Sequence, residues 1–249
     1  MDIFDILGPV MVGPSSSHTA GAVRIGLMAR TLLGTEPVRA NLHLHGSFAE
    51  TGMGHGTDKA LVAGLLGMKP DDLRIPNSFE VAQEQGFSFH FDTRELRDAH
   101  PNTAMICVYD KNDKRLEIQA SSLGGGRIKV NKIDGIAVDF SGDYNTLVIR
   151  NLDYYSSEAA VTTILNQFRI NIANMSMWRQ KRGGDALMII ETDQHVSPQQ
   201  VEFIGTLPGV TAITYYDKED EDDGSTVDAG NPRPLPRERK ALLGDRIGR

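Results

Sequence analysis

The residues best equipped for chemistry lie where Gly13-Pro14-Ser15-Ser16-Ser17-His18-Thr19-Ala20-Gly21 runs into an apolar helical pattern. Glycine and proline shape a turn, and Ser or Thr just ahead of a periodic run is the usual helix N-cap. The first turn of a helix offers unpaired N–H groups and the positive end of the dipole, which attract carboxylate or phosphate. Hydroxyls grouped there add donors, so the stretch suits a small anion. The plainer alternative is a helix start with more capping serines than it needs. A second stretch is Thr51-Gly52-Met53-Gly54-His55-Gly56-Thr57-Asp58-Lys59-Ala60. Its His55 sits between glycines that free the backbone to aim the ring. Imidazole is the side chain whose ordinary pKa suits proton transfer near neutrality. The alternative is a turn histidine facing solvent.

Other candidates are thinner. Ser122 with Gly124, Gly125 and Gly126 either completes a pocket by backbone N–H donation or makes a tight turn. His100-Pro101-Asn102-Thr103 has the composition of a shaped loop. His43 and His45 share one face of a strand, which is two ligands at most unless His55 joins them. His90 and His195 suit a strand face and a loop. Cys107 lies in the apolar run Ala104-Met105-Ile106-Cys107-Val108 and is expected in the core, as free cysteines usually are.

The elements that position these residues follow from periodicity. A helix is predicted from about Ser17 to Leu33, with Val23, Leu27 and Met28 on its apolar face and Gly34 as C-cap. Val38–Leu44 alternates as a strand, and after a glycine-rich turn Thr57 or Asp58 caps a helix to about Leu66. Residues 71–86 suit a loop and short helix. Strands follow over 87–91, 104–109, 115–120 and 127–133, forming an open-faced sheet with helices packed on it. Beyond a break at Phe140–Tyr144 come strand 145–151, helix 156–168, strands 172–178 and 186–191, helix 197–206 and strand 210–215. Ser156 and Ser157 cap the first of these helices, whose buried face is Ala160, Ile164 and Phe168. The order βαββαβ is the ferredoxin-like split pattern. The fold class is therefore α/β of the α+β type, with an N-terminal domain over 1–140 and a second over 145–217. Residues 218–249, acidic then basic with little apolar content, are expected to be disordered.

The chain has 249 residues, 40% hydrophobic and 24% charged, with a net charge of −7. That suits a soluble globular protein and argues against nucleic acid as main partner, since phosphate binding needs a basic surface. No apolar run approaches a membrane span, and the acidic start Met1-Asp2-Ile3-Phe4-Asp5 lacks the features of a signal peptide. A single cysteine excludes an internal disulfide framework and suits a reducing cytoplasm.

Phe4-Asp5-Ile6-Leu7-Gly8-Pro9 and Val12 through Thr19, together with Thr51–Ala60, resemble the iron–sulfur-dependent L-serine dehydratases. Met53 stands where that family usually carries lysine, which removes any electrostatic help from that position. The resemblance runs over about residues 1–217. It is closest to the two-subunit form, in which this chain is the β subunit. It implies deamination of L-serine to pyruvate and ammonia, with a [4Fe-4S] cluster ligated by the α subunit, since one cysteine cannot hold a cluster. It makes His55 the catalytic base. Ser15, Ser16, Ser17, His18, Thr19, Gly54, Asp58, Ser122 and Gly125 become substrate-binding residues, with Asp58 either orienting His55 or capping the helix after it. Residues 1–140 correspond to the β domain, akin to an allosteric substrate-binding module. Residues 145–217 resemble an ACT domain, which usually pairs with a copy of itself. Its occupant is left open between an amino acid, a monovalent cation and only its twin. A non-catalytic amino-acid-sensing subunit is the alternative function, and a metal hydrolase using His43, His45 and His55 is a third.

Overall fold

The computed structural model describes residues 12–13, 15–153, 157–179 and 181–218. The motif residues 4–11 and Pro14, the cap Ser156, the side chain of Met53 and the tail beyond 218 lie outside that set. The first sheet has six strands: β1 (Pro37–His45), β2 (Ser88–Thr93), β3 (Thr103–Asp110), β4 (Arg115–Gly124), β5 (Arg127–Ile133) and β6 (Ile136–Phe140). Their order is β2-β1-β3-β4-β5-β6. Only β1 and β2 are parallel, and their connection carries the crossover helices that parallel pairing requires. These are α2 (Ser47–His55), α3 (Thr57–Leu65) and α4 (Ser78–Glu84).

Two elements depart from the sequence expectation. Residues 47–55, expected as a glycine-rich turn, form α2, because Gly52 and Gly54 are tolerated inside a helix that left-handed Gly56 then ends. Strand β6 follows β5 across Asp134 and Gly135, both at positive φ. That is the Asp-Gly hairpin signal, present in the sequence and passed over. Neither Thr57 nor Asp58 is the N-cap of α3, a place held by Gly56.

Helix α1 (Gly21–Leu33) is the centre of the molecule. It packs against β3, β4 and β5 on one side, against α3 alongside, and against the last strand of the second sheet. It meets α3 backbone to backbone. A Cβ at Gly26 would lie 2.3 Å from the Leu61 carbonyl oxygen, and one at Gly64 would lie 2.1 Å from that of Val23. Ile25, Met28, Leu33, Leu61 and Leu65 are fully buried around this crossing, each contributing about 1.5–3 kcal/mol of burial.

The second sheet, ordered β10-β7-β9-β8, is antiparallel throughout. Its strands are β7 (Asn145–Leu152), β8 (Ile172–Arg179), β9 (Asp185–Thr192) and β10 (Val210–Tyr216). Helices α5 (Ser157–Gln167) and α6 (Pro198–Gly205) complete the expected βαββαβ order. Strand alternation gives the sheet two apolar faces. Leu147, Ile149, Met188 and Ile190 pack with Val161, Leu165 and Ile204 of the helices. Val148, Leu187, Ile189 and Tyr216 join the core around α1. The buried face of α5 is thus Val161 and Leu165 with Ile164 and Phe168 beside them, one step round from Ala160, which is half-buried.

Cys107 is buried at 7% exposure, as expected, although it is not part of the cluster around α1. On the polar face of the first sheet, its thiol donates to the Tyr109 hydroxyl at 3.2 Å and accepts from Arg115 Nε at 3.1 Å.

Since a methyl group at position 64 would enter the Val23 carbonyl, Gly64→Ala should destabilise the protein despite its better helix propensity. Overpacking of this kind costs about 1–3 kcal/mol or more, read as a fall in the urea midpoint at unchanged slope.

Candidate active site at the serine-rich turn

The helix predicted from Ser17 begins with a wider turn. Ser16–Ala20 is π-helical, closed by the Gly21 N–H donating to the Ser16 carbonyl, before α1 proper starts. Ser15 is the N-cap: its Oγ accepts from the His18 N–H at 3.1 Å, and its carbonyl accepts from that of Thr19 at 2.9 Å. So Ser15 is the capping serine among the three, while the Ser16 and Ser17 amides stand at the open end of the turn. Single π turns recur at functional sites.

A directional relay runs through the side chains. Ser15 Oγ lies 3.3 Å from Ser17 Oγ, and Ser17 Oγ lies 3.1 Å from His18 Nδ1. On the far side of the ring, Nε2 is 3.2 Å from Ser47 Oγ and 3.1 Å from Thr51 Oγ1. Thr51 donates its own proton to the Ser47 carbonyl at 2.8 Å, so its oxygen can only accept from Nε2. That assigns the Nε2–H tautomer to neutral His18 and leaves Nδ1 to accept the Ser17 proton. With its proton given to Nδ1, the Ser17 oxygen accepts from Ser15 Oγ, which sets one direction along the relay.

His55 ends α2 and is exposed, its ring centroid 5.2 Å from that of His18 and tilted 46° to it. The two sequence stretches are therefore one site. Burial holds the pKa of His18 below its ordinary value, and the His55 charge lowers it further; a hydrogen bond to the Ser47 backbone opposes both.

The remaining candidates take distinct places. The Gly125 N–H donates to Ser16 Oγ at 3.2 Å, so it holds the turn instead of standing free for a ligand. Ser122 is fully buried behind Gly21, where a Cβ would lie 2.0 Å from its Oγ. Asp58 Oδ1 accepts the Lys59 N–H at 2.8 Å and makes no bond to His55 among the described residues. Gly54 is exposed in the last turn of α2. The Oγ atoms of Thr19, Thr57 and Ser122 are buried without a hydrogen-bond partner, an arrangement that asks for a water or ligand. The 100–103 loop is a brace: the Asn102 carbonyl accepts the Ser122 N–H at 2.8 Å, and Pro101 fills the space a Cβ at Gly46 would take.

The sequence reasoning missed Ser47, Thr51 and Arg24. Ser47, Thr51 and His55 recur at four-residue spacing, the signature of one helix face, which would have revealed α2 and its aim. Arg24 Nη1 donates to the Gly126 carbonyl at 3.2 Å and steadies the glycine loop; no local pattern announces it. His43 and His45 lie elsewhere, on the polar face of the first sheet. His45 Nδ1 accepts the Leu96 N–H at 3.1 Å, and His43 Nδ1 is 3.7 Å from Asp92. Among the described residues no three His, Cys, Asp or Glu side chains converge as metal ligands. The donors at the turn are hydroxyls, imidazoles and amides, and the one thiol is held by Tyr109 and Arg115. That donor set does not fit ligation of an iron–sulfur cluster by this chain.

Fold and site together define an α+β protein with an open hydroxyl–imidazole site at a helix N-terminus. The family described as "Serine dehydratase beta chain" matches residues 1–86. The chain is 40% identical over 212 residues to the "Probable L-serine dehydratase, beta chain" of Bacillus subtilis, covering 85% of this chain and 96% of that one. It is 39% identical to the "L-serine dehydratase, beta chain" of Peptoniphilus asaccharolyticus, covering 77% and 86%. A weaker likeness, 25% over 160 residues, is to the "D-3-phosphoglycerate dehydrogenase" of Bacillus subtilis, covering 64% of this chain and 30% of that one. The chain belongs to the serine dehydratase β-chain family.

A ring whose folded pKa is depressed lets the unfolded chain take up the proton first. Stability should therefore fall as pH drops below 6.5 and level off once the folded value is passed. In an NMR titration, His55→Ala should raise the His18 pKa, whereas Ser47→Ala, which keeps the backbone carbonyl, should leave that backbone contribution in place.

Proposed function

We propose that this chain is the β subunit of an L-serine dehydratase, active only with an α subunit. The observation that carries this is the 40% identity spanning 96% of a β chain so named. The site is consistent with it. Serine deamination requires removal of the α-proton, departure of the hydroxyl, and hydrolysis of the resulting enamine to pyruvate and ammonia. The Ser16 and Ser17 amides, with the positive end of α1 behind them, suit the substrate carboxylate. His55, exposed at the rim beside His18, suits the proton acceptor. Departure of the hydroxyl calls for a Lewis acid, and we assign that to a [4Fe-4S] cluster on the α subunit, whose docking over this open face would exclude water.

The βαββαβ unit over 145–217 is assigned as an ACT domain, with self-association as its role. No helix among the described residues is long and apolar enough to cross a membrane. A second reading, a regulatory binding module without catalysis, is favoured by one finding: a similar segment exists in a protein named as a dehydrogenase.

The test is anaerobic, serine-dependent pyruvate formation by this chain co-expressed with a candidate α chain. His55→Ala should lower turnover by about 10²–10⁴-fold with assembly and cluster spectrum intact. Unchanged turnover removes the base from this chain and leaves the regulatory reading.

A further inference from the structure

A cleft opens between the two domains at the end of α1 opposite the serine-rich turn. It encloses about 520 Å³ and is walled by Leu27 and Arg30 of α1, Lys69 after α3, and Tyr215, Tyr216 and Asp217 at the end of β10. Gly34 and Gly67, both left-handed, also line it. A volume of this size suits a small organic ligand.

The charges in the cleft are unequal in availability. Asp217 Oδ2 lies against His195 Nδ1 at 2.7 Å. Arg30 is half-committed: Nη1 donates to the Leu65 carbonyl at 3.0 Å, and Nη2 reaches only the exposed Glu36 at 3.5 Å. Lys69 is half-buried, and its ammonium has no partner among the described residues. Two cations thus face the space, one unpaired and one weakly paired, and a partly desolvated ammonium is improved by an anion. Leu27 and the tyrosine side chains supply an apolar wall for a carbon skeleton.

We propose that this cleft binds a small organic anion bearing a phosphate ester or several carboxylates, with Lys69 and Arg30 on its charged groups and its body against Leu27 and Tyr215. The site is separate from the serine-rich turn and does not depend on the activity proposed above.

Calorimetric titration of the full chain with citrate, with glycerol 3-phosphate and with uncharged glycerol tests it. At least one anion should bind at or below about 10 mM while glycerol does not, and the two anions tell carboxylate from phosphate ester. Lys69→Glu should weaken that binding by about tenfold or more, and Lys69→Gln by less, as expected for loss of a charge-assisted contact. Ser17→Ala should leave it unchanged. Lys69→Gln decides alone if Lys69→Glu does not fold. Absence of binding by both anions, binding unaffected at position 69, or binding lost in Ser17→Ala would each overturn the proposal.

Discussion

The approach of α1 to α3 is the contact on which the rest of the molecule depends. Where Gly26 and Gly64 face each other, neither helix has a side chain, and each backbone rests on carbonyl oxygens of the other. Helix α1 begins at the serine-rich turn and α3 begins immediately after His55, so their crossing sets the distance between the two stretches. A larger residue at either glycine would lever the helices apart and open the gap between His18 and His55. Few pairs of positions far apart in sequence tie structure to chemistry so directly.

Around that contact the site is built as a polar network of short, mutually dependent links. The π turn lets Ser15 cap the helix while Ser17 turns towards His18, and α2 brings Ser47 and Thr51 to the far side of the ring. With both imidazole nitrogens engaged, the ring has one tautomer and one orientation. Such networks hold geometry well when every member is satisfied and poorly when one is lost. The unpartnered hydroxyls of Thr19, Thr57 and Ser122 lie in the shell beneath it.

The second sheet does more than append a domain. It turns one apolar face to its own helices and the other to the core around α1, so α1 is covered on both sides by sheets. The two ends of this helix are the serine-rich turn and the interdomain cleft.

Periodicity and turn chemistry were enough to place most strands, α1, α3 and the βαββαβ order, because strand alternation and glycine stops are local properties. The motifs located the candidate site, since a serine cluster before a helix and a histidine between glycines carry their chemistry in residue type. Where local signals competed, they misled. Glycines hid α2, and Cys107 sat in a run so apolar that its polar neighbours Tyr109 and Arg115 went unseen, because they reach it across the sheet face. The role of Ser47, the use of the Gly125 amide by Ser16, the bracing by Arg24 and the cleft at Lys69 all join residues distant in the chain. Sequence alone determined what groups were present and which short segments would shape them. Only the tertiary structure decided which groups meet, because the helix crossing and sheet order that bring them together arise from packing between elements and leave no local trace.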